Sequence, residues 1–327
     1  MSIPKLIGLH TIPKFLGFFN ETPNNSVVYH YTDLNAFINI FSNRELWISN
    51  IDYMNDKEEF SNGLNICIEV LKQYLEIDCF KYKGDFERLL AVVSGKSKPE
   101  LMGIDTDNIF SISFCSEGDI LTQWNCYGTN GVSIGFQNTP NSIEDGIALV
   151  PSNLYNELLK KYGDDPKEIK PDHEQRLFLN KVIYDDEEKR NLFHSFFDYI
   201  VEEADKANDS LLIFQDDIVN LIYYLCIHMK NSGFAHEKES RVVFVNPAES
   251  QAEISYRTRN NAVLPFIKYK VLDLNCHVHQ IFPISEIVLA PNPSSDFTLK
   301  SVKYFLKANG YDYLVDKVRV SSIPFRS

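Results

Sequence analysis

The chain has 327 residues, 44% of them apolar, enough to bury a large core. With 45 acidic against 32 basic residues its net charge is -13, which repels nucleic-acid phosphate, and no basic run overrides that average. The 6 cysteines (Cys67, Cys79, Cys115, Cys126, Cys226 and Cys276) form no C-x-x-C pair, which argues for reduced thiols in a cytoplasmic setting rather than a disulfide framework or a structural zinc site.

In chain order, the opening "MSIPKLIGLHTIPKFLGFF" is apolar but broken by prolines and lysines, with no small-residue cleavage site after it, so it does not read as a signal peptide. "SVVYHYT" reads as a strand. Thr32 or Asp33 then caps a helix whose Leu34, Phe37, Ile38 and Phe41 recur at helical spacing, and "ELWIS" is a second short strand. After the polar loop "NDKEEF", helical patterns run through "FSNGLNICIEVLKQYLEI" and "DFERLLAVVS". "NIFSISFCSEGDILTQWNCYGTNGVSIGF" returns to strand, short helix, glycine turn and strand. From Asn153 to Asn231 the pattern is mainly helical around one strand, "FLNKVIYD". Its apolar run "IVNLIYYLCIHM" is too short for a bilayer, which takes about 20 residues, and reads as a core helix; no membrane partner is expected.

The last third gives strands "SRVVFV", "AEISYR", "AVLPFIKYKV" and "EIVLA", a helix over "SSDFTLKSVKYFLKANG" stopped by its glycine, and a final strand "KVRVSSIPF". No repeat or linker interrupts the chain. The expectation is a single α+β domain over residues 1–327, with a mixed or antiparallel sheet drawn from both ends and helical insertions around 60–105 and 150–230.

Three segments carry unusual chemistry: "YHYT", "SFCSEGDILTQWNCYG" and "SGFAHEKESRVVFV". Together with "YMNDKEEF" and the ending "EIVLAPNP...FLKANGY...VRVSSIPFR", they resemble a bacterial family known only as domain of unknown function 2971, over most of the chain and in the same order. The same three segments are also similar to the dispersed signatures of ADP-ribosyltransferases of the diphtheria-toxin and poly-ADP-ribose-polymerase branch. Those signatures are a strand with a histidine, a strand leading into a short helix with a tyrosine, and a glutamate at the start of a late strand.

That second resemblance implies a transferase-like sheet core, NAD as substrate, no metal, and either ADP-ribose transfer to a macromolecular acceptor or NAD hydrolysis. In bacteria it implies a toxin or a role in phage defence. His30 and Thr32 would position the ribose, and Tyr127, Trp124 or Tyr31 would stack the nicotinamide. Glu239, preferred over Glu237, would face the oxocarbenium-like transition state. Arg241 shares a strand face with both acids if the strand begins early, and Arg326 is a candidate for the pyrophosphate. The middle block and the glutamates lie about a hundred residues apart, so a helical insertion must separate them.

Other readings compete. A strand-end histidine bonded to a backbone carbonyl is the ordinary state of a residue like His30, and Trp124 and Tyr127 share a helix face as core aromatics do. A non-catalytic module of the same fold, binding a nucleotide or a protein, is one alternative function. A metal-dependent nuclease using Asp56, Glu58 and Glu59 is another, and His277 and His279 have a spacing that suits a metal.

Overall fold

A computed structural model of the chain describes residues 26–53, 59–95, 100–101, 104–105, 109–138, 147–155, 157, 160, 175–176, 179–207, 215–245, 252–259, 261–273, 283–292 and 294–324. The elements follow in the order β1 (Ser26–Thr32), α1 (Leu34–Asn43), β2 (Glu45–Asn50), α2 (Glu59–Leu75), α3 (Lys83–Gly95), β3 (Glu100–Leu101), β4 (Ile104–Asp105), β5 (Ile109–Cys115), α4 (Leu121–Cys126), β6 (Val132–Asn138) and β7 (Ile147–Pro151). They continue with β8 (Gln175–Arg176), β9 (Asn180–Lys181), α5 (Asp186–Ala207), α6 (Gln215–Ile227), β10 (Glu239–Val245), β11 (Ile254–Arg259), β12 (Ala262–Asp273), β13 (Ile284–Leu289), α7 (Ser295–Ala308) and β14 (Val318–Val320). The class is α+β, as the patterns indicated.

The single domain expected from the sequence divides into two compact units. One comprises Asn50–Ile109 and Asn180–Ala235, the other Thr22–Ser49, Phe110–Leu179 and His236–Ser327. The first holds α2, α3, α5 and α6, which are the helices of the two stretches read as insertions. Their apolar faces bury one another: α2 places Ile66, Cys67, Val70, Leu71 and Tyr74 inside at helical spacing, and α5 contributes Phe193, Phe196, Phe197 and Ile200. Lys189 of α5 is buried in this unit, its ammonium donating to Asn62 Oδ1 and Asp186 Oδ1 at 2.8 Å each. Helices that satisfy each other in this way need no sheet to cover.

The second unit is built on a sheet whose strands run in the order β14-β13-β6-β1-β5-β2-β12-β7-β8, with β11 on β12 and β10 also on β5. β13 and β14 are parallel, whereas β1–β6, β6–β13, β2–β12, β7–β12 and β11–β12 are antiparallel. Register and burial together sort the side chains onto two faces. Val28, Ile112, Phe114, Ile134, Phe136, Leu46, Ile48, Ile267, Val242 and Phe244 belong to one large core. By alternation Tyr29, Tyr31, Ser113, Cys115, Trp47, Ser49, Glu239 and Arg241 point to the other face.

α1 covers the core side. Its cap is Asp33, whose carboxylate accepts from the Ala36 amide at 2.8 Å, and Arg44 closes it in the left-handed region at φ 52°. Phe37, Ile40 and Phe41 face inward, while Ile38, placed in the apolar stripe from sequence, is 45% exposed. The last strand is shorter than "KVRVSSIPF": it stops at Val320, because Ser321 and Ser322 turn to Asp119 instead.

Candidate functional site

β5 is the strand on which distant segments meet, since it pairs with β1, β2 and β10. Its Ser113 is engaged twice. The ring Nδ1 of His30 lies 3.1 Å from the Ser113 carbonyl, which only accepts, so Nδ1 carries the proton. The Ser113 hydroxyl donates in turn to Glu239 Oε1 at 2.5 Å. Glu239 opens β10, and Arg241, two residues on and therefore on the same face, reaches the same oxygen through Nε at 2.9 Å and Nη2 at 2.7 Å. Both side chains are almost wholly out of water, at 6% and 2% exposure. The guanidinium therefore fixes a charged carboxylate inside the protein, and the serine orients it.

Glu237 is held differently. It ends a 3-10 turn over Ser232–Glu237, is buried, receives the Tyr127 hydroxyl on Oε1 at 3.3 Å, and gives its backbone carbonyl to the Gln123 side chain at 2.9 Å. Between the two acids Lys238 adopts φ 48°, a left-handed residue that interrupts the alternation of an extended chain. The shared face expected of Glu237, Glu239 and Arg241 is thereby corrected: Glu239 and Arg241 share it, and Glu237 enters from a turn. The Lys238 ammonium pairs with the Glu117 carboxylate, and the Lys238 carbonyl accepts from the Ser116 amide at 3.2 Å.

The aromatic residues divide as well. Tyr31 and Trp124 are buried edge-to-face at 4.7 Å, in a small cluster with Cys115, Val288 and Ala290. Tyr31 Oη donates to the Glu117 carbonyl at 2.8 Å and accepts from the Ile120 amide at 3.0 Å, and Trp124 Nε1 donates to Asp119 at 2.9 Å. Rings enclosed in this way pack the helix α4 against the sheet and leave no face for a ligand to stack on. Tyr127, just past the end of α4, is only half-buried and keeps its hydroxyl on Glu237. Burial pushes the Cys115 thiol up to about 11, so it is no nucleophile at neutral pH.

His30 sits opposite Ile134 in β1, on the core-facing parity, with its ring 5.9 Å from Phe114. Burial first, and the charge of Arg257 after it, hold its pKa below the ordinary value, and the bond to Ser113 opposes them only in part. It is a neutral, strand-end histidine on a backbone carbonyl, one hydrogen bond removed from the carboxylate system. Thr32 ends the same strand opposite Val132 and is half-buried. Arg326 lies outside the described residues, as do Asp56, Glu58, His277, His279 and the side chain of Glu59. Among the described residues no group of three His, Cys, Asp or Glu side chains is placed to hold a metal.

Two residues with central positions were not singled out from sequence. One is Ser113, the half-buried serine of a strand whose other serine, Ser111, is buried; nothing local in the sequence set the two apart. The other is Asp119, which accepts from Trp124 Nε1, from Ser321 Oγ at 2.5 Å, and from the Ser322 amide and hydroxyl at 2.8 and 3.0 Å. Burial works against its charge, but these hydrogen bonds outweigh it and hold the carboxyl below its usual value.

No curated protein and no solved structure matches the chain. Residues 123–242, which span Gln123, Tyr127, Glu237, Glu239 and Arg241, match the family model described as "Protein of unknown function (DUF2971)".

Proposed function

We propose that the sheet unit is an NAD-consuming enzyme of the ADP-ribosyltransferase type. The observation that supports it is the Ser113–Glu239–Arg241 arrangement: a carboxylate kept charged by a buried guanidinium and oriented by a hydroxyl, with Tyr127 and Glu237 on the adjoining turn. In the reaction the bond from ribose C1′ to the nicotinamide nitrogen breaks, and its electron pair leaves with nicotinamide. Positive charge develops on the ribose ring, where a fixed carboxylate lowers the barrier. A nucleophile on a macromolecule, or water, then attacks C1′ and loses a proton, giving an ADP-ribosylated acceptor or free ADP-ribose. Glu239 is the electrostatic residue in this scheme and Ser113 a positioning residue; Tyr127 is the half-buried ring beside the nicotinamide.

The test is incubation with NAD labelled separately in its nicotinamide and adenylate halves, with and without cell extract. Expected is nicotinamide release, with label passing to protein or nucleic acid if an acceptor is required and remaining as ADP-ribose if not. Ser113→Ala is expected to lower kcat about 10- to 100-fold with KM for NAD unchanged, because it disturbs orientation without removing the charge. A folded protein that releases no nicotinamide under either condition refutes the enzymatic reading and leaves a binding module of the same fold.

A further inference from the structure

Helix α7 (Ser295–Ala308) presents two unlike faces. Val302 and Leu306 are buried in the core of the sheet unit, and Leu299 and Phe305 pack against it, with the Phe305 ring 5.5 Å from Phe37 of α1. Helical periodicity then turns Phe297 and Tyr304 outward, and at 76% and 77% they are the most exposed large apolar side chains among the described residues. Packing on the core accounts for the inner face and gives no reason for rings on the outer one.

The outer face has a pattern of its own. Phe297, Ser301, Tyr304 and Ala308 recur at the 3.5-residue repeat of a seam between two helices, large residues alternating with small. Ser301 and Ala308 are exposed hollows beside the rings. The Ser301 hydroxyl already donates to the Thr298 carbonyl at 2.9 Å, so a helix closing over it leaves no unmet donor. Lys300 and Lys307, both exposed and each one residue before a small position, line one flank of the seam, with the half-buried Lys303 beyond them. Among the described residues none of these three ammonium groups has an ion pair or a hydrogen bond. The helix thus carries three lysines against one acid, Asp296, in a chain whose net charge is -13.

We propose that this face of α7 binds an amphipathic helix of a partner protein, with apolar residues along its seam and glutamate or aspartate along the flank that meets Lys300 and Lys307. Side chains of that seam enter the hollows at Ser301 and Ala308 beside the two rings, and the lysines set which helix is accepted. Charge favours a single helix over an extended polyanion. Anionic lipid or nucleic acid spreads its charge over a wide area and meets the acidic remainder of the surface as well, whereas one helix about 20 Å long meets α7 alone. A second copy of the chain brings the same net charge of -13 and is repelled.

The probe is a labelled three-heptad peptide with leucine at its seam positions and glutamate on both flanks, titrated with the full chain by fluorescence anisotropy beside the same peptide carrying lysine on both flanks. The glutamate peptide is expected to bind at least about 10-fold more tightly, and to weaken as salt rises. Lys300→Glu/Lys307→Glu is expected to reverse the order of the two peptides, and Phe297→Ser/Tyr304→Ser to abolish binding of the glutamate peptide. Both variants are expected to melt within about 2 °C of wild type, because every replaced side chain is exposed. Failure of the glutamate peptide to bind, or an order of affinity that the charge reversal leaves unchanged, overturns the proposal. Binding to phosphatidylserine vesicles, or sedimentation as a dimer, that is lost in Phe297→Ser/Tyr304→Ser assigns the face to a membrane or to a second copy and overturns it too.

Discussion

Replacing Glu239 by glutamine separates charge from shape at the centre of the candidate site. The amide can still accept from Ser113, but Arg241 is left as a buried guanidinium with its carboxylate gone. Exposures of 6% and 2% mean that water does not screen the loss. Breaking such a pair from one side costs about 3–5 kcal/mol, against about 0–1 kcal/mol for an exposed pair. For a domain of this size class each kcal/mol moves the melting temperature by about 2–4 °C, so Glu239→Gln is expected to melt about 10 °C lower. The double variant Glu239→Gln/Arg241→Met removes the buried guanidinium as well and is expected to recover more than half of that loss. Urea denaturation of wild type, both single variants and the double variant closes the cycle and gives a coupling of about 2 kcal/mol or more. A Glu239→Gln protein within about 1 kcal/mol of wild type, or a double variant equal to the sum of the singles, would refute the buried pair. It also follows that loss of turnover in Glu239→Gln is interpretable only at a temperature where that variant is folded.

Three further outcomes are expected. Gly131→Ala builds a Cβ about 2.0 Å from the Thr32 carbonyl oxygen, a backbone atom that cannot step aside, so it is expected to destabilise by about 1–3 kcal/mol or more in the same denaturation assay. Asp119 has a folded pKa below its unfolded value, so its contribution is complete above the ordinary carboxylate pKa and drains away as pH falls through the folded one; Asp119→Asn is expected to flatten the acid limb of the stability profile. His30, unlike Asp119, is held neutral, so the wild type is expected to lose stability relative to His30→Gln as pH falls below about 6.5, and parallel profiles from pH 8 to 5 would count against its burial.

Local periodicity carried the elements well. The β1–α1–β2 unit, the helices of residues 59–95 and the late strands were all readable, because each buries one face at a fixed period and has a recognisable cap or turn. What periodicity could not supply was who meets whom. Ser111 and Ser113 are equivalent in the local pattern of β5, and only the placement of β10 beside it brings Glu239 to Ser113. The grouping of Glu237 with Glu239 failed for a local reason: a single left-handed residue, Lys238, is enough to reverse which way a side chain points. Tyr31 and Trp124 carried the right chemistry for stacking a ligand, but α4 turned them onto each other.

Asp119 also sets the order in which this protein becomes whole. Its bond to Ser321 spans 202 positions, and the Tyr29 hydroxyl reaches Glu286 across 257. A ribosome that has delivered β1, β5, α4 and β10 has made His30, Ser113, Tyr127 and both glutamates, yet has not supplied the hydroxyls that anchor the helix beside them. Non-local closure of this kind is slow and exposes unpaired strand edges meanwhile. The nascent chain therefore passes through a period in which Glu239, Arg241 and Ser113 can already meet while the hydroxyls that hold Asp119 beside α4 do not yet exist, so this anchor closes last.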